Sequence, residues 1–397
     1  MRYDIVIVGA GIVGLATAYQ VQKRHPGKRL LVIEKERGPA IHQSGHNSGV
    51  IHSGIYYTPG SLKARFAKQA GISMPAFCEE HGVRYDVCGK VVVAVEAQEL
   101  PRLDKLQARA AENQIPVRRL SGEELREREP HAAGIAALEV PTAGIADYPG
   151  VCRKMVQLIE LNGGEVRWNC RVQQVKIGSE VAQLITPSGP IETTLFVTCG
   201  GLQSDLLTAM AGVAPPARII PFRGEYYTLK PDARRLVNHL IYPLPNPAFP
   251  FLGVHFTRMI NGEIHAGPNA VLAFKREGYH RTDFSMTEMC KVLGYAGFRK
   301  MAKAHWREGM HEQYRSFSRH AFLKTLQRLI PEITDADIEP APAGVRAMAV
   351  KPDGSMIDDF LISEGRFSMH VCNAPSPAAT ASIEIGEYVA ERVAEKM

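Results

Sequence analysis

Short, wholly apolar runs alternate along this chain with longer stretches whose apolar positions recur every three or four residues. The first run, Ile5 to Val8, suits a strand buried on both faces. Gly9-Ala10-Gly11-Ile12-Val13-Gly14 follows at once, and helical spacing then continues from Ile12 to about Lys23. A second buried-strand stretch, Arg29 to Ile33, ends in Glu34. Together these predict strand, tight turn, helix and strand. Leu195 to Thr198 repeats the buried-strand signature and leads into Cys199, Gly200 and Gly201, so it can join the same sheet from far away in sequence.

Elsewhere the spacing predicts helices over 62–81, 100–114 and 151–162, with a further helix start at Ser121 that carries an acid three residues on. Strands are expected over 90–96, 137–140, 144–147, 165–175 and 182–186. Antiparallel strands separated by proline-rich turns should follow over 219–229, 240–242, 251–257 and 263–266. A basic helical segment ends near Pro331. Strands over 343–350, 360–362 and 368–371 and a last helix from about Ala378 close the chain. This order predicts an α/β fold with two interleaved domains. A Rossmann-like dinucleotide-binding domain would use 1–85, 147–216 and 342–397. An α+β domain on a mixed, largely antiparallel sheet would use 86–146 and 217–341.

The glycine turn has a physical reading. Gly9 permits the turn, Gly11 lets backbone approach a pyrophosphate, and Gly14 lets helix pack on strand. The amides of Ile12 and Val13 open the helix, where an anion is favoured. Glu34 lies twenty residues after Gly14, where an acceptor for ribose hydroxyls belongs. An acid there argues against a 2′-phosphate but does not separate FAD from NAD. The stretch from Gln43 to Gly54 is small, polar and glycine-rich, and suits a loop against a ligand.

Composition narrows the classes. At 397 residues, with 22% charged and 45% hydrophobic residues, the chain has the make-up of a soluble globular protein with large cores. No apolar run reaches the roughly 18 residues that span a bilayer, and there is no signal-peptide pattern. Seven scattered cysteines without a Cys-x-x-Cys pair point to reduced thiols in the cytoplasm, and to no metal site. The segment from Thr287 to Leu329 holds nine basic and three acidic residues, a difference equal to the whole net charge of +6. A solvated helical face explains this charge. Peripheral docking on an anionic membrane, helped by Met301, Trp306, Met310 and Phe317, also explains it. Nucleic acid does not fit, because no recognised binding fold accompanies the charge.

Several longer blocks carry a resemblance. They include His42 to Tyr57, Pro221-Phe222-Arg223-Gly224, Phe249 to Thr257, Gly267 to Tyr279, Gly344-Val345-Arg346-Ala347 and Asn373 to Thr380. With the glycine turn, they make the chain similar to the D-amino-acid-oxidase-like family of FAD-dependent oxidoreductases over essentially its whole length. One departure is Met348, which stands where family members often carry glutamine. The resemblance implies FAD in an extended pose, and the lack of an established attachment motif predicts that it is held without a covalent bond. Gly9, Gly11 and Gly14 would face its pyrophosphate, and Glu34 its ribose. Lys35 and the loop residues Ser44, Asn47, Ser48 and Gly49 would lie along the rest, with Val172 at the adenine and Cys199 and Gly200 nearby. Gly344 and the turn through Pro375, Ser376, Pro377 and Ala378 would approach the isoalloxazine. A helix starting after Pro377 would aim its positive end at the reduced, anionic ring.

Within the family, the blocks resemble a branch that oxidises a 2-hydroxy dicarboxylate to the 2-oxo acid by hydride transfer from C2 to flavin N5. Quinone or oxygen would then take the electrons. Such chemistry needs a base and cations for two carboxylates. His52 is the first candidate base and His255 the second. In its strand, His255 points away from the face of Leu252, Val254 and Phe256. Arg346 and Arg223 are the leading carboxylate clamps, with Arg258 and Lys275 as further cations. Tyr56, Tyr242 and Asn373 could supply neutral hydrogen bonds. Oxidation of an amine or another small alcohol, or flavin binding without turnover, stays open at this level.

Overall fold

The computed structural model describes residues 2–245 and 253–397. Its first sheet has eight strands. Parallel strands form the centre in the order Glu165–Arg167, Leu30–Ile33, Arg2–Val8, Gly189–Thr198 and Ser368–Asn373. An antiparallel ribbon of Gln174–Ile177 and Ala182–Thr186 extends it beyond Gly189–Thr198. Leu361–Gly365 pairs antiparallel with Ser368–Asn373. Ile5, Val6 and Ile7 are fully buried, which is why their run shows no polar alternation. Helices Ile12–Arg24, Leu62–Glu80, Tyr148–Leu161 and Ser382–Lys396 cover one face through residues such as Leu15, Met74, Met155 and Val389. On the other face Val6, Phe196 and Leu184 pack together.

The second sheet has nine strands. Its order is Val271–Leu272, Arg218–Leu229, Ile264–Gly267, His255–Arg258, Leu240–Pro243, Lys90–Ala94, Ala136–Val140 and Arg118–Ser121. Ile338–Val350 runs antiparallel along Arg218–Leu229, with a register shift between Gly224 and Tyr226. Leu240–Pro243 lies parallel to Lys90–Ala94, so the sheet is mixed. One face packs Val91, Val93 and Phe256 against Phe322 and Leu326. The other packs Val92, Ala94 and Tyr242 against Leu103 and Leu106. A small sheet of Val50–Ile51, Gly144–Ala146 and Tyr85–Asp86 joins the two layers.

Three local differences from the sequence reading have physical causes. The expected strand over 165–175 is interrupted at Asn169, whose φ of 53° breaks extended pairing while its amide donates to the Glu36 carbonyl at 2.8 Å. The last helix begins at Ser382 rather than near Ala378. Thr380 is held sideways there, its hydroxyl bonded to the Val50 carbonyl at 3.1 Å and to Tyr148 Oη at 2.9 Å. The strand expected over 251–257 has its first two residues outside the described range, and the described part forms His255–Arg258.

Candidate active site

A cavity of about 720 Å³ lies between the two sheets. It opens at the carboxyl ends of the parallel strands, beside the glycine turn, and reaches the face of the second sheet. Open α/β sheets bind ligands at such strand ends.

The glycine turn is built for close approach. A Cβ on Gly14 would stand 2.0 Å from the Gly9 carbonyl oxygen, so only glycine lets the helix start beside the turn. The Ile12 amide donates to Ser44 Oγ at 2.9 Å, which fixes the following loop over the helix start. Asn47 closes that loop from within. Its Nδ2 donates to the carbonyls of Gln43 and Ser44, both at 2.9 Å, and its Oδ1 accepts from the Gly49 amide at 2.8 Å. The Glu34 carboxylate accepts from the amides of Ala10 at 2.7 Å and Glu36 at 3.0 Å, and it faces the cavity. Lys35 donates to Glu36 and to Glu277 at 3.0 Å, tying the glycine-turn sheet to the second sheet's loop. Hydrogen bonds from Lys35 and His42 hold the Glu36 carboxyl down at about 2. A Cβ on Gly344 would meet the His46 carbonyl oxygen at 2.4 Å, so the strand from the second sheet touches the loop backbone to backbone.

Of the residues the sequence assigns to the cofactor, Gly14 and Gly49 support the wall from behind, and the others face the cavity. A glycine cradle at a helix start, an acid on the second strand and a long slot toward Pro375 to Ala378 fit FAD in an extended pose.

Beyond that slot the cavity wall becomes a chamber with His52, Tyr56, Tyr242, His255, Arg346 and Asn373. The His52 amide donates to Thr380 Oγ1 at 3.2 Å, so the histidine is pinned to the turn that follows Asn373. Because a carbonyl can only accept, the 2.9 Å contact between His255 Nδ1 and the Gly253 oxygen places the proton on Nδ1 and leaves Nε2 an acceptor. Burial, together with nearby Lys90, pushes both imidazoles down to about 3, so both are neutral near pH 7. Burial also lowers Arg346, which remains a cation. The enclosed Tyr56 hydroxyl has no hydrogen-bond partner among the described residues. Asn373 spends its Nδ2 on the carbonyls of Ile357 at 3.0 Å and Asp359 at 2.9 Å, so its amide nitrogen shapes the wall. Met348 lines the cavity two positions from Arg346, on the same strand face.

Three expected cations lie elsewhere. Arg346 stands opposite Phe222, whereas Arg223 stands opposite Val345, so the two arginines project from opposite faces of one strand pair. Arg223 is buried against Glu225 at 3.0 Å and donates to the His280 carbonyl at 3.1 Å. Arg258 pairs with Asp86 at 3.3 Å on the surface, and Lys275 is exposed in a loop. None of these three lines the cavity. Conversely, the sequence reading passed over Lys63, Tyr226 and Lys90. Lys63 and Tyr226 line the chamber, Lys63 buried and paired with Asp358 at 2.8 Å. Lys90 is 2% exposed and sits behind Tyr56 and Tyr242. Strand parity was the available signal: Lys90 shares a face with Val92 and Ala94.

This fold and cleft are those of a dinucleotide-binding protein, with the second sheet roofing the cleft. The chain belongs to the FAD-dependent oxidoreductase family, whose model matches residues 4–392. It is 46% identical over 392 residues to L-2-hydroxyglutarate dehydrogenase of Escherichia coli K12, covering 98% of this chain and 93% of that protein. It is 43% identical over 412 residues to the mitochondrial L-2-hydroxyglutarate dehydrogenase of Homo sapiens, covering 99% and 89%. Among solved structures, L-α-glycerophosphate oxidase of Mycoplasma pneumoniae with FAD bound superposes with a TM-score of 0.80 at 20% identity, covering 100% of this chain and 95% of the other. Glycine oxidase of Geobacillus kaustophilus gives 0.75 at 19%, covering 100% and 95%. These two share the fold.

Proposed function

We propose that this protein oxidises L-2-hydroxyglutarate to 2-oxoglutarate. The observation that carries the reading is the chamber itself, where two neutral histidines and the half-buried Arg346 stand together beside the cofactor slot. Its support is the likeness to relatives named for that activity. FAD supplies the hydride acceptor, at N5. His52 takes the substrate's hydroxyl proton, because it follows the cofactor loop directly and is tethered to the turn at Thr380. His255 holds a second acceptor nitrogen toward the chamber from the substrate sheet. Arg346 binds a carboxylate, and the Tyr56 hydroxyl donates to the substrate. The enclosing rings exclude water and strengthen each of these contacts.

The acceptor we assign to the electrons is a membrane quinone. No helix among the described residues is long and apolar enough to cross a membrane. Yet the helix Trp306–Phe317 exposes Trp306, Met310, Tyr314 and Phe317, at 58%, 66%, 59% and 72%, at helical spacing. Lys300, Lys303 and Arg307 are exposed beside this stripe, which suits an anionic bilayer surface. Met301, by contrast, is buried in the helical layer.

Anaerobic mixing with L-2-hydroxyglutarate should bleach the flavin. The D-isomer, glycerol 3-phosphate and glycine serve as comparisons. Faster bleaching by any of these three would overturn the substrate assignment.

A further inference from the structure

Lys90 opens the strand Lys90–Ala94 in the middle of the second sheet, between Leu240–Pro243 and Ala136–Val140. Its side chain leaves the sheet on the face of Val92 and Tyr242. The ammonium sits over two aromatic rings at once, 4.7 Å from the centroid of Tyr56 and 5.0 Å from that of Tyr242. Both tyrosines line the chamber, and Tyr242 also stacks on His255 with centroids 4.0 Å apart. Lys90 itself is absent from the wall. Its paired neighbours Leu240 and Val140 are apolar. The ionisable groups that face it are Tyr56, Tyr242, His52 and His255, none of them anionic near pH 7. No carboxylate forms an ion pair with it among the described residues, and burial alone accounts for its depressed basicity, down to about 7.

A buried ammonium without an anion is costly, and such cations are ordinarily paired. Here the rings of Tyr56 and Tyr242 offer it their negative faces. The same contact draws electron density from the phenols and makes their hydroxyls stronger donors, and the enclosed Tyr56 hydroxyl has no partner among the described residues. Arg346 lines the same chamber, so two cationic side chains, Arg346 directly and Lys90 through the rings, bear on a bound ligand.

We propose that Lys90 is a positioning residue that selects for a substrate with two carboxylates. Acting through Tyr56 and Tyr242, it makes the chamber receptive to a second negative charge. This rests on the dicarboxylate reading of the site. It adds that binding of a dianion draws a proton onto Lys90, so affinity for dicarboxylates falls as pH rises past neutrality.

Two inert probes separate this from turnover: glutarate, and pentanoate, which replaces one carboxylate by a methyl group. Their dissociation constants are read from perturbation of the flavin spectrum in the holoenzyme between pH 6 and 9. In the parent protein, glutarate should bind more tightly than pentanoate and weaken above about pH 7, while pentanoate changes little. Lys90→Met should lower the glutarate preference by about tenfold to a hundredfold, the range expected for one charge acting across a partly screened interior. Its pH profile should be flat. Lys90→Arg keeps its charge throughout and should hold the preference flat to pH 9. Equal weakening of both probes in Lys90→Met would mean a packing role and overturn the proposal. If Lys90→Met does not fold, the arginine variant decides, and a profile like the parent's sinks the idea. Failure of L-2-hydroxyglutarate to reduce the flavin would remove the substrate assignment while leaving the probe ratio to judge Lys90.

Discussion

The imidazole of His255 and the phenol of Tyr242 lie face to face, 4.0 Å between centroids and 21° between planes, while His255 Nδ1 donates to the Gly253 carbonyl at 2.9 Å. Stacking fixes the plane and the carbonyl fixes the tautomer, so Nε2 stays an acceptor without freedom to turn. His52 has its backbone tethered at Thr380 instead. The two histidines therefore separate by experiment. His52→Gln should slow flavin reduction at saturating substrate by about 10²–10⁴, the range for losing a positioned base, with the dissociation constant nearly unchanged. His255→Asn should do less. Single-turnover reduction under anaerobic conditions reads both quantities, and the reverse ranking would transfer the base to His255.

Arg346 should matter for binding rather than rate. Arg346→Met should weaken substrate by roughly 2–5 kcal/mol, the cost of leaving a desolvated carboxylate without its charged partner. Arg346→Lys restores charge but not the planar fork, so it should recover only part of this. Titration with 2-oxoglutarate gives the affinity directly. Normal affinity in the methionine variant would remove Arg346 as the clamp. Arg223 would not replace it, since it is committed to Glu225 on the far face.

Acid should destabilise the fold through histidines that the folded chain keeps neutral. His52 and His255 are held near 3, and His370, buried beside Thr198 and Ser368, near 4. In the unfolded chain histidine titrates near 6.5. Below that value the unfolded state binds more protons, so stability falls as pH drops from about 6.5 toward 3 and is unaffected by these groups above it. Each of the two chamber histidines taken alone gives up roughly 2 kcal/mol by pH 5. Glu384 works in the opposite sense. Burial raises it to about 7, so it favours the folded state as pH falls, and offsets part of the loss. Melting curves from pH 7.5 to 5 should show a net decline, shallower in a His52→Gln, His255→Asn double variant. A level profile in the parent would contradict the buried neutral state.

Membrane contact should depend on both halves of the exposed helix. Replacing Trp306 and Phe317 by serine should weaken binding to vesicles containing anionic lipid, and added salt should weaken the parent protein's binding. Activity on a soluble dye acceptor should stay unchanged, since neither side chain lines the cavity. Equal binding to neutral and anionic vesicles would point away from this surface.

Much of this architecture was legible because local signals agreed with one another. The apolar run Ile5–Val8, the glycine turn and Glu34 each follow from backbone geometry, and the structure assembles them as one cradle. The loop from Ser44 to Gly49 was readable for the same reason. Which cation enters the chamber was not readable. Arg223 and Arg346 both sit in strands, and only the antiparallel register, unknown until the strands pair, decides that they face opposite ways. Lys90 was passed over for a different reason. A lysine at the head of Val-Val-Val-Ala reads as a solvated strand end, and only the layer of Tyr56 and Tyr242 above it makes it internal. The C-terminal helix start was misplaced by four residues because Thr380 answers to Val50, more than three hundred positions earlier.

The strand Ser368–Asn373 and the helix Ser382–Lys396 have a consequence for how the protein is made. They complete a sheet and a helical layer begun by Arg2–Val8 and Ile12–Arg24, more than 350 positions earlier. On the ribosome, the glycine turn therefore emerges early and waits without its packing partners. Its apolar strands stay uncovered until translation of the helix Ser382–Lys396, and such non-local pairing closes slowly. Flavin capture must follow synthesis of the turn at Pro375 to Ala378, which comes more than 350 residues after the glycine turn. Supply of the cofactor once that turn has been made should thus govern how much protein escapes aggregation.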